Sequence, residues 1–71
     1  MISAREFKSP YYNLKNLLDR KGLTQEVVAD KINMPRSTFN LKINRKNGRD
    51  FSLEEAKQIS KVINETVDNF F

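Results

Sequence analysis

Seventy-one residues with a net charge of +4 and neither cysteine nor histidine make one small domain with no room for a second core. Disulfides, thiolate zinc sites and redox motifs are excluded, along with the usual general base and the commonest transition-metal ligands. No metal, cofactor or small-molecule substrate is expected, and the chain does not read as an enzyme.

Residues 1–9 show no sustained periodicity and read as a flexible N-terminal arm, with Arg5 and Lys8 as solvated charges. The arm lacks the apolar run of a signal peptide, and no segment approaches the roughly 18 apolar residues of a membrane span, so a cytoplasmic chain with no membrane partner is expected. The domain proper is residues 10–71. Pro10 suits the first turn of a helix, Leu14, Leu17 and Leu18 follow at helical spacing, and Gly22 supplies the stop, so the first helix is predicted from Pro10 to Lys21.

Thr24 is a good N-cap for a second helix with Glu26 in its first turn. Val28 and Ile32 form its inward ridge, beside the small Ala29. Asn33, Met34 and Pro35 break it, and Asn33 accepts the left-handed backbone of a tight turn. Pro35 then starts a third helix running to about Asn44. Arg45 to Asp50 is a loop centred on the turn dipeptide Asn47-Gly48. Ser52 and Glu55 form a capping box for a fourth helix with Leu53, Ala56, Ile59 and Ile63 as its buried stripe. Thr66 and Asp68 suit the start of a last short helix ending in Phe70 and Phe71. The fold class expected is all-α, a compact five-helix domain. The sequon at Asn64 is accidental, and the adjacent Glu54 and Glu55 point about 100° apart, too divergent for an acid–base pair.

Charge is segregated. From Lys31 to Arg49 there are six basic residues and no acid, which leaves −2 for the rest of the chain. That pattern suggests an anionic partner met by one surface. Stepping the third helix at about 100° per residue puts Phe39 and Ile43 inward and Arg36, Ser37, Asn40, Leu41 and Asn44 outward. Solvated helix faces usually mix Glu with Lys, and this face carries neither. Its side chains match base edges instead: Arg for guanine O6 and N7, Asn for adenine N6 and N7, Ser for either, Leu for a thymine methyl. Arg36, Ser37, Asn40 and Leu41 are therefore the candidate base contacts. Thr24 and Gln25 on one side and Lys42, Asn44, Arg45, Lys46 and Arg49 on the other are the candidate phosphate contacts. The Lys42 stem is expected to pack while its ammonium snorkels outward.

The stretch from Thr24 to Asn44, TQEVVADKINMPRSTFNLKIN, resembles the helix-turn-helix of the lambdoid phage repressor and Cro family, the broad Cro/C1-type transcriptional regulators. Gln25 opens the motif, Ala29 takes the small-residue position where the two helices touch, and Phe39 stands for the aliphatic anchor of the recognition helix. The resemblance runs from about Leu14 to Phe71 and takes in the tail SLEEAKQISKVINETVDNFF. It implies a lambda-repressor-like domain that binds palindromic double-stranded operator DNA as a homodimer. It also implies base contacts from Arg36, Ser37 and Leu41 with Asn40 nearby, and phosphate contacts from Gln25, Asn44 and the loop after it. Asn33 departs from the family's usual turn glycine, Leu41 from an often polar position, and Phe39 from the common Val or Ile.

The expected function is a sequence-specific transcriptional regulator, a phage or prophage Cro-like protein or small repressor. Its dimer would form through the loop around Gly48 to Phe51 or through Val67 to Phe71. The alternative is a protein-interaction module of antitoxin or anti-repressor type, with Phe70-Phe71 as its docking surface. Against both uses, the two phenylalanines read first as a core lid.

Overall fold

The computed structural model describes residues 9–71, and the arm with Arg5 and Lys8 lies outside them except for Ser9. Four α-helices follow in order: α1 (Tyr12–Arg20), α2 (Gln25–Lys31), α3 (Arg36–Ile43) and α4 (Leu53–Ile63). Two three-residue 3₁₀ turns, Lys46–Gly48 and Val67–Asn69, complete the architecture, and no strand occurs among the described residues.

The boundaries follow from local chemistry. The Thr24 hydroxyl accepts the Val27 N–H, and Ser52 with Glu55 forms both halves of a capping box, as the sequence predicts. Three helices close by the same device, a residue at positive φ followed by a bond back six residues: Leu23 N–H to Leu18 O across Gly22, Met34 N–H to Ala29 O across Asn33, and Glu65 N–H to Ser60 O across Asn64. Glycine or asparagine stands at each, because other side chains clash in that conformation.

Helix starts differ from expectation at both prolines. α1 begins at Tyr12, because the Tyr11 N–H is drawn away to the Ile43 carbonyl at the end of α3, 2.9 Å distant. Pro35 is the cap of α3 rather than its first residue: its ψ of 140° is extended, while its carbonyl accepts the Phe39 N–H. The fifth helix is replaced by the turn Val67–Asn69, which Thr66 does not cap through its side chain. A single turn is enough to swing Phe70 into the core, where it is buried, while Phe71 remains half exposed.

The core is one cluster. Leu14, Val28, Ala29, Phe39, Ile43, Ala56 and Ile59 are fully enclosed, and Tyr11, Leu18, Phe51, Ile63 and Phe70 nearly so. Phe39 and Ile43 sit inward as their spacing requires. Leu53 does not belong to the buried stripe: it is 55% exposed. It occupies the first position of α4 and lies about 90° from the centre of the stripe that Ala56, Ile59 and Ile63 define, so it projects past the core's edge. Phe51, expected in an exposed loop, is instead enclosed, with its ring 5.2 Å from Phe39 and 5.5 Å from Tyr11.

Candidate nucleic-acid interface

α2 and α3 meet across the left-handed turn at Asn33, and together they present one polar surface. Arg36, Ser37 and Asn40 are exposed, and Leu41 is half-buried between them and the core residues. These four are brought together as their helical spacing predicts. Asn44 follows one turn later, and its amide donates to the Asn40 carbonyl at 2.9 Å.

This surface is not free of acid. The Arg36 guanidinium lies 3.0 Å from a Glu26 carboxylate oxygen and 3.5 Å from one of Asp30, both on α2. All three side chains are more than half exposed, so the pairing is screened and reversible. Glu26 and Asp30 are four residues apart and share one face of α2, which is the face turned toward the start of α3. Gln25, at the head of the same helix, accepts from the Asn40 amide at 3.4 Å.

The basic segment is likewise partly neutralised by residues outside it. The Lys42 ammonium does not snorkel to solvent: it is only 17% exposed and bonds both Glu55 oxygens at 2.7 and 2.9 Å. Glu55 also accepts the Ser52 N–H, so one carboxylate caps α4 and ties it to α3. Burial pushes this carboxyl up, but the bonds from Lys42 and Ser52 outweigh it and hold the group below its ordinary range.

Arg45 is held still more firmly. Its guanidinium lies 4.6 Å above the Tyr11 ring and 3.0 Å from Asp50 Oδ2. The Tyr11 hydroxyl donates to Asp50 Oδ1, and the same oxygen accepts the Phe51 N–H at 2.8 Å. Burial raises the Asp50 carboxyl, and the bonds from Tyr11 and Arg45 more than reverse the shift. Tyr11 moves the other way: burial first, then the bond to Asp50 and its charge, push its hydroxyl far above the ordinary tyrosine range. Arg45 also adopts a left-handed backbone, with φ of 54°. An arginine rarely does so, and the side-chain anchors are what hold it there.

Among the candidate phosphate contacts, Lys46 and Arg49 therefore stand apart. Both are exposed, and neither forms an ion pair with any described residue. Gln25 and Asn44 are half-buried beside the α3 face. Thr24 is exposed with its oxygen committed to capping α2. Sequence reasoning missed Lys15 on α1, whose ammonium donates to Asn44 Oδ1. The two residues lie 29 positions apart, and no local pattern in the sequence signals the contact.

The remaining features are open grooves rather than enclosed cavities. One of about 370 Å³ runs between α1 and α2 and is lined by Lys15, Asn16, Leu18, Asp19, Leu23 and Gln25. Among the described residues no helix is long and apolar enough to cross a membrane, and no three acidic side chains gather in a metal-binding arrangement. Comparison with known protein families, with curated proteins and with solved structures finds no match.

Proposed function

We propose that this chain is a sequence-specific, double-stranded DNA-binding transcriptional regulator of the helix-turn-helix type, a Cro-like protein or small repressor. It inserts α3 into the major groove of a palindromic operator and works as a homodimer in the cytoplasm. The observation that carries this reading is the division of α3. Phe39 and Ile43 are fully enclosed, while Arg36, Ser37 and Asn40 stand outward with Leu41 at their margin. A rigid inner face and an outer face of base-matching side chains are what direct readout requires.

Phosphate contacts on this reading come chiefly from Lys46 and Arg49, supported by Gln25, Thr24 and Asn44. Lys42 and Arg45 set the shape of the surface and contribute charge through it. The dimer contact falls to exposed apolar side chains, Leu53 and Phe71, since Phe51 and Phe70 are spent on the core. Those same two exposed residues favour the second reading, a protein-interaction module of antitoxin or anti-repressor type.

Selection from a random duplex pool separates the two. A regulator enriches a symmetric site with half-sites about one helical turn apart, and binding weakens steeply with salt. Arg36→Ala then loses about 1–3 kcal/mol of discrimination at one base position. No enrichment, together with sequence-blind binding that Arg36→Ala leaves unchanged, refutes the regulator.

A further inference from the structure

Most of the fixed cations in this domain face a carboxylate. Lys21 meets Glu65, Arg36 meets Glu26 and Asp30, Lys42 meets Glu55, and Arg45 meets Asp50. Lys15 is different. Its ammonium is fixed by a neutral acceptor, Asn44 Oδ1, and it forms no ion pair with any described residue. An ammonium has three N–H donors, so a positive charge with two donors to spare is held in one place.

That place is set by a chain of side-chain hydrogen bonds crossing three helices. Lys15 of α1 donates to Asn44, the Asn44 amide donates to the Asn40 carbonyl, and the Asn40 amide donates to Gln25 at the head of α2. Gln25 and Lys15 then meet again across the groove between α1 and α2, with Asn16 beside them. Asp19 also lines this groove, one helical turn on from Lys15, without pairing with it.

Building on the DNA-binding reading, we propose that Lys15 is a phosphate-binding residue. It takes a phosphodiester oxygen of the duplex backbone beside the α3 face, and through Asn44 it fixes the distance from that phosphate to Asn40. A lysine binds phosphate as a point charge, so it positions the duplex without reading its sequence. The ligand class is the duplex DNA backbone, and the gain is register: one strand is clamped from α1 while α3 reads bases.

The test uses the full chain and a duplex enriched from a random pool by the unaltered protein. Lys15→Gln is expected to lower the log–log salt slope by about 0.9. The affinity ratio between unaltered protein and variant then shrinks about 3.5-fold between 50 and 200 mM salt. Discrimination between the enriched site and unrelated duplex stays the same, and Lys15→Arg restores the slope. Lys57→Gln, which removes an exposed charge of α4 that no side chain holds, leaves the slope unchanged. Neutralising single backbone phosphates as methylphosphonates is expected to reveal one position that weakens the unaltered protein and not Lys15→Gln.

A Lys15→Gln slope equal to that of the unaltered protein overturns the inference, as does the absence of any such phosphate, while enriched binding leaves the regulator reading standing. A loss of discrimination in Lys15→Gln equal to its loss of affinity also overturns it, because that outcome assigns Lys15 to bases. If the unaltered protein enriches no duplex at all, the regulator reading falls first and the inference with it.

Discussion

The two ends of α3 hold their arginines in opposite ways. At its start Arg36 reaches back to Glu26 and Asp30 across open solvent, with all three side chains more than half exposed. At its far end Arg45 is trapped between the Tyr11 ring and Asp50, with only a quarter of its side chain exposed and its backbone forced left-handed. An exposed ion pair in high dielectric is worth about 0–1 kcal/mol and opens readily. A half-buried one with extra hydrogen bonds resists opening, because separation strands a charge away from water. The same residue type therefore serves once as a side chain free to change partners and once as a fixed strut.

Both ends rest on Phe39, fully enclosed and in contact with Phe51 of the strut region. Phe39→Ala is the largest blow to the comparison, because it removes the shared support. A cost of about 3–5 kcal/mol is expected in urea unfolding. For a domain this small that is a large share of the total stability. If the cost is under about 1 kcal/mol, the two ends do not share a foundation.

The next effect tests the strut alone. Asp50→Ala removes the acceptor for Tyr11, Arg45 and the Phe51 N–H, and is expected to cost about 1.5–3 kcal/mol. The pH dependence supplies the sign. Asp50 and Glu55 titrate lower folded than unfolded, so their stabilisation is full above the ordinary carboxylate range and is lost as pH falls below about 5. Asp50→Ala flattens part of that acid slope. Tyr11 titrates higher folded than unfolded, so its contribution is full below about pH 10 and is lost as pH rises beyond it; Tyr11→Phe abolishes that alkaline loss. Melting temperatures measured from pH 2 to 11 check both limbs. An acid limb unchanged in Asp50→Ala denies the strut its charge.

The sequence made one of these ends legible and hid the other. Caps and closures depend on neighbours within one helical turn, so Thr24, Ser52 with Glu55, Gly22 and Asn33 could be read directly. The inward Phe39 and Ile43 followed from periodicity alone. The strut joins Tyr11 to Asp50 across 39 residues, and Lys42 finds Glu55 across 13. No local pattern encodes such distances. A charge count over Lys31 to Arg49 stopped one residue short of Asp30 and of Asp50, the two acids that fold onto the segment's arginines. The signal available was the i, i+4 pair Glu26 and Asp30, which puts two acids on one side of α2 whatever that side faces.

Those two acids offer the smallest effect on stability and the most informative one. Glu26→Gln with Asp30→Asn removes a screened, exposed pair, so unfolding free energy should shift by under about 1 kcal/mol. On the DNA-binding reading the consequence lies elsewhere. The carboxylates repel backbone phosphates and occupy the guanidinium until a base edge with two acceptors replaces them, which a single phosphate oxygen does poorly. The double variant should therefore bind unrelated duplex more tightly, while its preference for the enriched site narrows. Parallel titrations of enriched and scrambled duplex at two salt concentrations measure both. If the double variant gains affinity equally for both duplexes, the acids act only as bulk charge, and the contrast between a freed arginine and a fixed one describes stability alone.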